Sequence, residues 1–203
     1  MGTIVRINGE KVSKEEEQLT RRYWMWANEA MTKKLEEKQI ESLTEQHLIW
    51  LFALEQKAVE LKISDFTKEE EKTIRAKAEY FWNQTVEHYK TLFLKEQKAF
   101  SQWEAFHKAE SFLHENGYSV RQLIKNKKME IIYDRMMRLY WKKATVDKEE
   151  ISKEMQRRIK DGNVMNIELL EKVTSDLKLI QAKRMLKQDI EEWISESEIV
   201  REA

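Results

Sequence analysis

Apolar residues recur every three to four positions along almost the whole chain, which is the period of amphipathic helices. One stretch departs from it. Residues 3–12, "TIVRINGEKV", read as two short strands around Asn8-Gly9, a pair that tolerates the positive φ of a tight hairpin turn. Ser13 and Glu16 then form a capping-box pattern, and a helix is expected from there to about residue 40. Its buried stripe is expected to hold Leu19, Tyr23, Trp26, Ala27 and Ala30, with Trp24, Met31 and Leu35 on a second face. A second helix is expected after Ser42 or Thr44, carrying Leu48, Leu51, Phe52, Leu54, Ala58 and Leu61.

Thr67 and Glu70 repeat the capping pattern and open a helix over 68 to about 94, with Ile74, Phe81, Trp82, Val86, Tyr89 and Phe93 inward. Pattern alone does not decide whether the chain breaks near residues 94–101. The next helix is expected to bury Trp103, Phe106, Ala109 and Phe112 and to stop at Asn116-Gly117. Ser119 and Gln122 open another, whose second half, "MEIIYDRMMRLYW", is apolar around most of its circumference. Asp147 and Glu150 begin a short helix ending near Asp161-Gly162. A last helix runs from about 167 to 196, with Leu170, Val173, Leu177, Ile180, Met185, Ile190 and Trp193 inward. The fold class is therefore all-α, a multi-helix body with long helices and a short N-terminal β-hairpin.

Composition sharpens this picture. The 203 residues are enough for one domain with a sizeable core or for two small ones, and a single domain is expected. Charged residues make up 36 %, with four Gly, no Pro and no Cys, as long helices require. Seven Trp and nine Met supply too much apolar material for a disordered chain. Thirty-seven basic residues balance 37 acidic ones, which argues against nucleic acid as a partner. The longest apolar run, "LIWLFAL" at 48–54, is too short to span a bilayer, so no transmembrane segment is expected.

Candidate chemistry is sparse. Glu104 and His107 make one Glu-x-x-His pair, but a helical di-metal site needs a second pair and further carboxylates. His47, His88 and His114 have no partner at ligand spacing. There is no phosphate-binding loop, no nucleophile elbow and no Cys nucleophile. No catalytic residue, metal or cofactor is expected. What remains is a surplus of aromatic and Met side chains. Most belong to the core, and the remainder suits an adaptable surface for varied partners. Trp24, Met31, Met129, Met136, Met137, Tyr140 and Trp141 are the candidate client-binding residues.

Four landmarks stand in order: "INGEKVSKEE", "LIWLFALEQKAVELKIS", "FLHENGYSVRQLIKNKKMEIIYDRMM" and "ATVDKEEISKEM". This order resembles the N-terminal chaperone domain of SurA-type and PrsA-type foldases, over roughly residues 3–160. That family opens with a strand and a Val-Asn-Gly turn. Its "Ala-x-x-x-Gly-Ile-x-Val-Ser" phrase is matched by Ala58 through Ser64, its "Gly-Tyr/Leu-Ser/Thr" helix start by Gly117 through Leu123, and its "Val-Ser/Thr-Asp-x-Glu-Ile" phrase by Val146 through Ile151. The helix over 167–196 looks like the C-terminal segment that returns to this domain. Two departures stand out. The parvulin isomerase domain that usually follows the "Val-Asp-x-Glu-Ile" helix is missing, because "KDGNVMN" leads straight into the last helix. The segment 68–116 is long and very aromatic, and is expected to form an extended helical arm.

The resemblance implies an ATP-independent chaperone, like the related C-terminal domain of trigger factor, that binds unfolded or nascent polypeptides in a helical cradle. It implies no prolyl isomerase activity. It also implies an extracytoplasmic location, with "MGT" standing where a native leader was removed, although a cytoplasmic one stays open. Two other readings compete: a helical scaffold or homodimerisation module, and an enzyme with a carboxylate-histidine metal site.

Overall fold

The computed structural model describes residues 3–97 and 99–202. Among these residues the fold is all-α, with seven helices and one small three-stranded sheet. The chain divides into two compact units, residues 1–131 with 197–203, and residues 132–196.

The first unit opens with the expected hairpin, β1 (Thr3–Ile7) and β2 (Glu10–Lys11). Asn8 and Gly9 both have positive φ, at 50° and 80°, as a two-residue type I′ turn demands. A third strand, β3 (Ile199–Glu202), pairs antiparallel with the other edge of β1, so the sheet order is β2-β1-β3. Two strands alone are marginal, and the chain's own C-terminal segment supplies the third. Ile7 is fully buried and Val12 nearly so.

The helix α1 (Lys14–Ala30) starts at the Ser13–Glu16 capping box. It ends ten residues before the expected boundary. Asn28 causes this stop: its side chain accepts a hydrogen bond from Leu35 N at 2.7 Å and donates to Leu35 O at 3.3 Å. An Asn that bonds backbone on the far side of a turn competes with helix propagation. The next helix, α2 (Glu37–Glu60), begins earlier than expected. There Glu36 N donates to Gln39 Oε1 at 2.8 Å. α2 packs on α1 and buries Ile40, Leu48, Ile49, Phe52, Leu54 and Ala58.

Within α1 the buried side is displaced from the expected stripe. Thr20 is buried, Leu19 and Ala27 are half-buried, and Tyr23 is exposed. The side chains of Trp26 and Ala30 lie outside the described set.

Thr67 and Glu70 cap α3 (Lys68–Glu96) as expected. The chain then breaks. Ser101 and Glu104 form another capping box, which starts α4 (Gln102–Glu115). The two helices pack against each other. α4 stops at Gly117, whose φ is 80°. A Cβ there would lie 3.3 Å from the Leu19 backbone nitrogen, so this turn approaches α1 closely and needs glycine. α5 (Val120–Lys143) follows, with Gln122 N donating to Ser119 Oγ at 3.1 Å. Its residues up to Ile131 belong to the first unit.

The second unit takes the rest of α5, α6 (Lys148–Lys160) and α7 (Ile167–Glu196). Asp147 caps α6, and Asn166 Oδ1 accepts from Leu169 N at 2.8 Å to start α7. α6 and α7 meet through Met155, Leu169 and Val173, with Ile151 and Leu177 beside them. On α7 the buried stripe is Leu169, Val173, Ala182, Leu186 and Ile190. Leu170 and Ile180, expected inward, are exposed.

Candidate functional surface

The α3–α4 hairpin has a core of its own. Trp82, Val86, Ala109 and Leu113 are buried, and Tyr89, Phe93, Phe112, Tyr118, Val120 and Leu123 pack around them. The inner edge of α4 is Ala105, Ala109 and Leu113, spaced by four. Small residues let two helix backbones come close. That spacing turns the neighbouring positions outward.

Trp103 is consequently 70 % exposed, and Phe106 is exposed as well. On α3, Ile74, Ala78, Trp82 and Val86 take the inner positions, leaving Tyr80 at 68 % and Phe81 at 50 % exposure. Trp103, Phe106 and Phe81, expected in the core, therefore stand on the surface. The signal that they could not all be buried was in the sequence. Tyr80, Phe81 and Trp82 are consecutive, and successive helical residues point about 100° apart.

Local contacts order part of this surface. The Trp103 and His107 rings meet edge to face at 4.2 Å, and Phe106 lies 5.6 Å from His107. Lys108 Nζ sits over both Phe93 and Phe100, at 4.9 and 4.8 Å from the ring centres. Glu104, the carboxylate of the lone Glu-x-x-His pair, is engaged by the Ser101 hydroxyl and backbone N–H, which hold it below the usual carboxylate range. His107 faces Glu110 at 3.4 Å.

A groove of about 470 Å³ runs along α3, with Ala76, Tyr80 and Phe81 among its lining residues. Lys72 and Lys77 of α3 and Lys127 of α5 also line it, with Glu69 near the start of α3.

The seven candidate client-binding residues are dispersed. Met129, Met136, Met137 and Tyr140 are buried, and the Tyr140 hydroxyl donates to Asp189. They fill the interior of the nearly all-apolar stretch of α5. Trp141 is exposed, with Lys178 Nζ 4.5 Å from its ring centre. Met31 is exposed at the end of α1. Trp24 is half-buried beside His47, with ring centres 5.9 Å apart, and Tyr23 completes the cluster. Trp24 Nε1 and His47 Nδ1 are buried without a hydrogen-bond partner among the described residues. Burial also lowers the His47 pKa from its ordinary 6.5, which favours the neutral ring.

A second exposed apolar group lies in the other unit, where α6 turns into α7. Val164, Met165 and Ile167 are each at least three-quarters exposed. This is the "KDGNVMN" turn.

No helix among the described residues is long and apolar enough to cross a membrane. Among the same residues, no three His, Asp or Glu side chains converge as a metal site would need. No protein-family model matches the chain, and no curated protein or solved structure shows significant similarity to it.

Proposed function

We propose that the protein is an ATP-independent, chaperone- or foldase-like binder of unfolded or nascent polypeptide segments, working by binding rather than catalysis. One observation carries this reading. Trp82, Val86, Ala109 and Leu113 fill the core between α3 and α4, while the aromatic side chains Tyr80, Phe81, Trp103 and Phe106 stay exposed on the same two helices. Large apolar groups left exposed in this way mark interaction surfaces. Rigid aromatics bury much area at little entropic cost, which suits weak, reversible capture of varied clients.

The order of landmarks resembling SurA-type and PrsA-type foldases supports the same reading. Those landmarks fall on the β1–β2 turn, the end of α2, the α4–α5 turn and the start of α6. The resemblance also carries the proposed extracytoplasmic location. Client capture on this account uses the α3–α4 surface, with Met31 and Trp141 as further exposed candidates.

Light scattering of a heat-denatured client enzyme tests the proposal. The protein is expected to suppress aggregation at near-stoichiometric ratio. Replacing Trp103 and Phe106 together by Ala should weaken suppression several-fold. The same change should leave stability within about 0.5 kcal/mol per site, because both side chains are exposed. Unchanged scattering at several-fold excess of protein overturns the proposal.

The exposed Val164, Met165 and Ile167 favour one other reading, a homodimer built on that turn. Sedimentation velocity at micromolar concentration separates the two. A tight dimer that dissociates on Val164→Asp would favour the scaffold reading.

A further inference from the structure

The α3 groove differs from the rest of the exposed aromatic surface in its charge. Its lining brings three ammonium groups, Lys72, Lys77 and Lys127, against a single carboxylate, Glu69. The whole chain is neutral, so this is a local excess. Lys127 bonds to Glu130 at 2.7 Å. With Lys127 held by Glu130, Lys72 and Lys77 share a single lining carboxylate, Glu69, so a net positive charge stands beside the apolar floor. The neighbouring Glu71 does not serve them, because it is bound to Lys128 at 2.9 Å.

The groove follows α3 from Glu69 to Phe81, about 18 Å at the helical rise. That length accommodates roughly three turns of a second helix laid in the groove. An occupant must offer apolar side chains to Ala76, Tyr80 and Phe81. It must also bring carboxylates to Lys72 and Lys77, since like charge there would be repelled.

We propose that this groove binds amphipathic polypeptide segments whose apolar stripe is flanked by Asp or Glu. The inference rests on the polypeptide-binding reading and assigns it a site and a client class. Selection is by charge at the rim, and the apolar floor supplies most of the affinity. Exposed ion pairs are individually weak, so acidic flanks should improve affinity by roughly five- to tenfold at low salt. The preference should fade as salt screens the rim.

Fluorescence anisotropy with three labelled peptides tests this on the intact protein. One peptide has a Leu/Phe stripe at helical spacing with Glu at the flanking positions. The second has Lys in place of each Glu. The third keeps Glu but has Ser in place of the stripe. The Glu-flanked striped peptide should bind tightest, and the Ser peptide should not bind. K72E/K77E should reverse the preference between the first two, and both side chains project from the surface, so the fold is retained. Y80S/F81S should weaken both striped peptides without changing their order.

Equal affinity for the Glu- and Lys-flanked peptides, or a preference untouched by K72E/K77E, overturns the groove assignment. Aggregation suppression run in parallel keeps the two proposals apart. Suppression without a charge preference removes the groove but not the chaperone reading. A charge preference that K72E/K77E reverses, without any suppression, leaves a peptide-binding groove and removes the chaperone reading.

Discussion

Asn8 illustrates how one residue serves two purposes. Its left-handed backbone makes the β1–β2 turn, as the Asn-Gly pair implies. Its side chain also accepts from Glu198 N at 2.8 Å and donates to Gln56 Oε1 and Ser197 Oγ, both at 3.1 Å. The backbone Asn8 N donates to Glu198 O at 2.8 Å. Asn8→Gly would keep the turn, because Gly accepts positive φ, but lose the side-chain clamp. The expected cost is about 1 kcal/mol, since the bonds are exposed, measured by urea unfolding. An unchanged midpoint would show that the clamp contributes nothing.

Glu16 carries a similar double load. Burial pushes its carboxyl up, but bonds from Lys125 and from Ser13 outweigh burial and leave it lowered. Burial likewise lowers Lys125, while its bond to Glu16 and the charge of Glu55, 3.5 Å away, raise it overall. A lowered carboxyl stabilises the fold above its ordinary value of 4.5, and that contribution is lost as pH falls through the lowered value. A raised lysine contributes below its ordinary 10.5 and loses that contribution as pH climbs through the raised value. Lys125→Met keeps the packing stem over Phe52 and should cost about 1 kcal/mol at neutral pH, given that the pair is only half-buried. The difference from the parent should shrink as pH falls through the lowered value of Glu16, where the carboxylate is protonated. A difference that stays constant from neutral pH into the acid range would assign the loss to packing instead.

At the scale of elements, the helix starts were legible because they are local chemistry. Ser13, Thr67, Ser119 and Asp147 all cap the helices that their spacing announces. Ser101 carries the same Ser-x-x-Glu pattern and marks the break that periodicity left open. The helix faces were less legible, because ranking positions by large apolar residues overlooks alanine. Ala78 on α3 and Ala105 on α4 are fully buried, whereas Phe81, Trp103 and Phe106, expected inward, are exposed. The α3–α4 interface sets the small Ala109 among the larger Trp82, Val86 and Leu113. Ala109→Leu should overpack it and destabilise the protein by about 1–3 kcal/mol. Ala99→Leu, at an exposed position just before α4, is the control and should stay within about 0.5 kcal/mol. Equal effects of the two would mean that the helices are not held by close approach.

At the scale of the molecule, the chain closes its first unit with its own last residues. β3 follows the second unit's α7 and pairs with β1, so residues 132–196 form an excursion between the two parts of the first unit. Removing residues 199–202 would leave β1 paired only with the two-residue strand β2. Amide exchange in β1 should then accelerate by at least an order of magnitude, toward that of an isolated hairpin. Unaltered protection would show that β1 holds without its C-terminal neighbour.

The sequence alone determined the all-α class, the N-terminal hairpin and most helix boundaries. Caps, turn glycines and the helical period act within a few residues of themselves. It could not determine which face of each helix turns inward, because a chain with aromatics on several faces satisfies more than one stripe. It could not announce β3, whose four residues become a strand through pairing with β1, some 190 positions earlier. The candidate surface belongs to this second kind. Met136, Tyr140 and Trp82 went inside, while Trp103 and Tyr80 stayed out, because the face of each helix that meets its neighbour is settled only by packing in three dimensions.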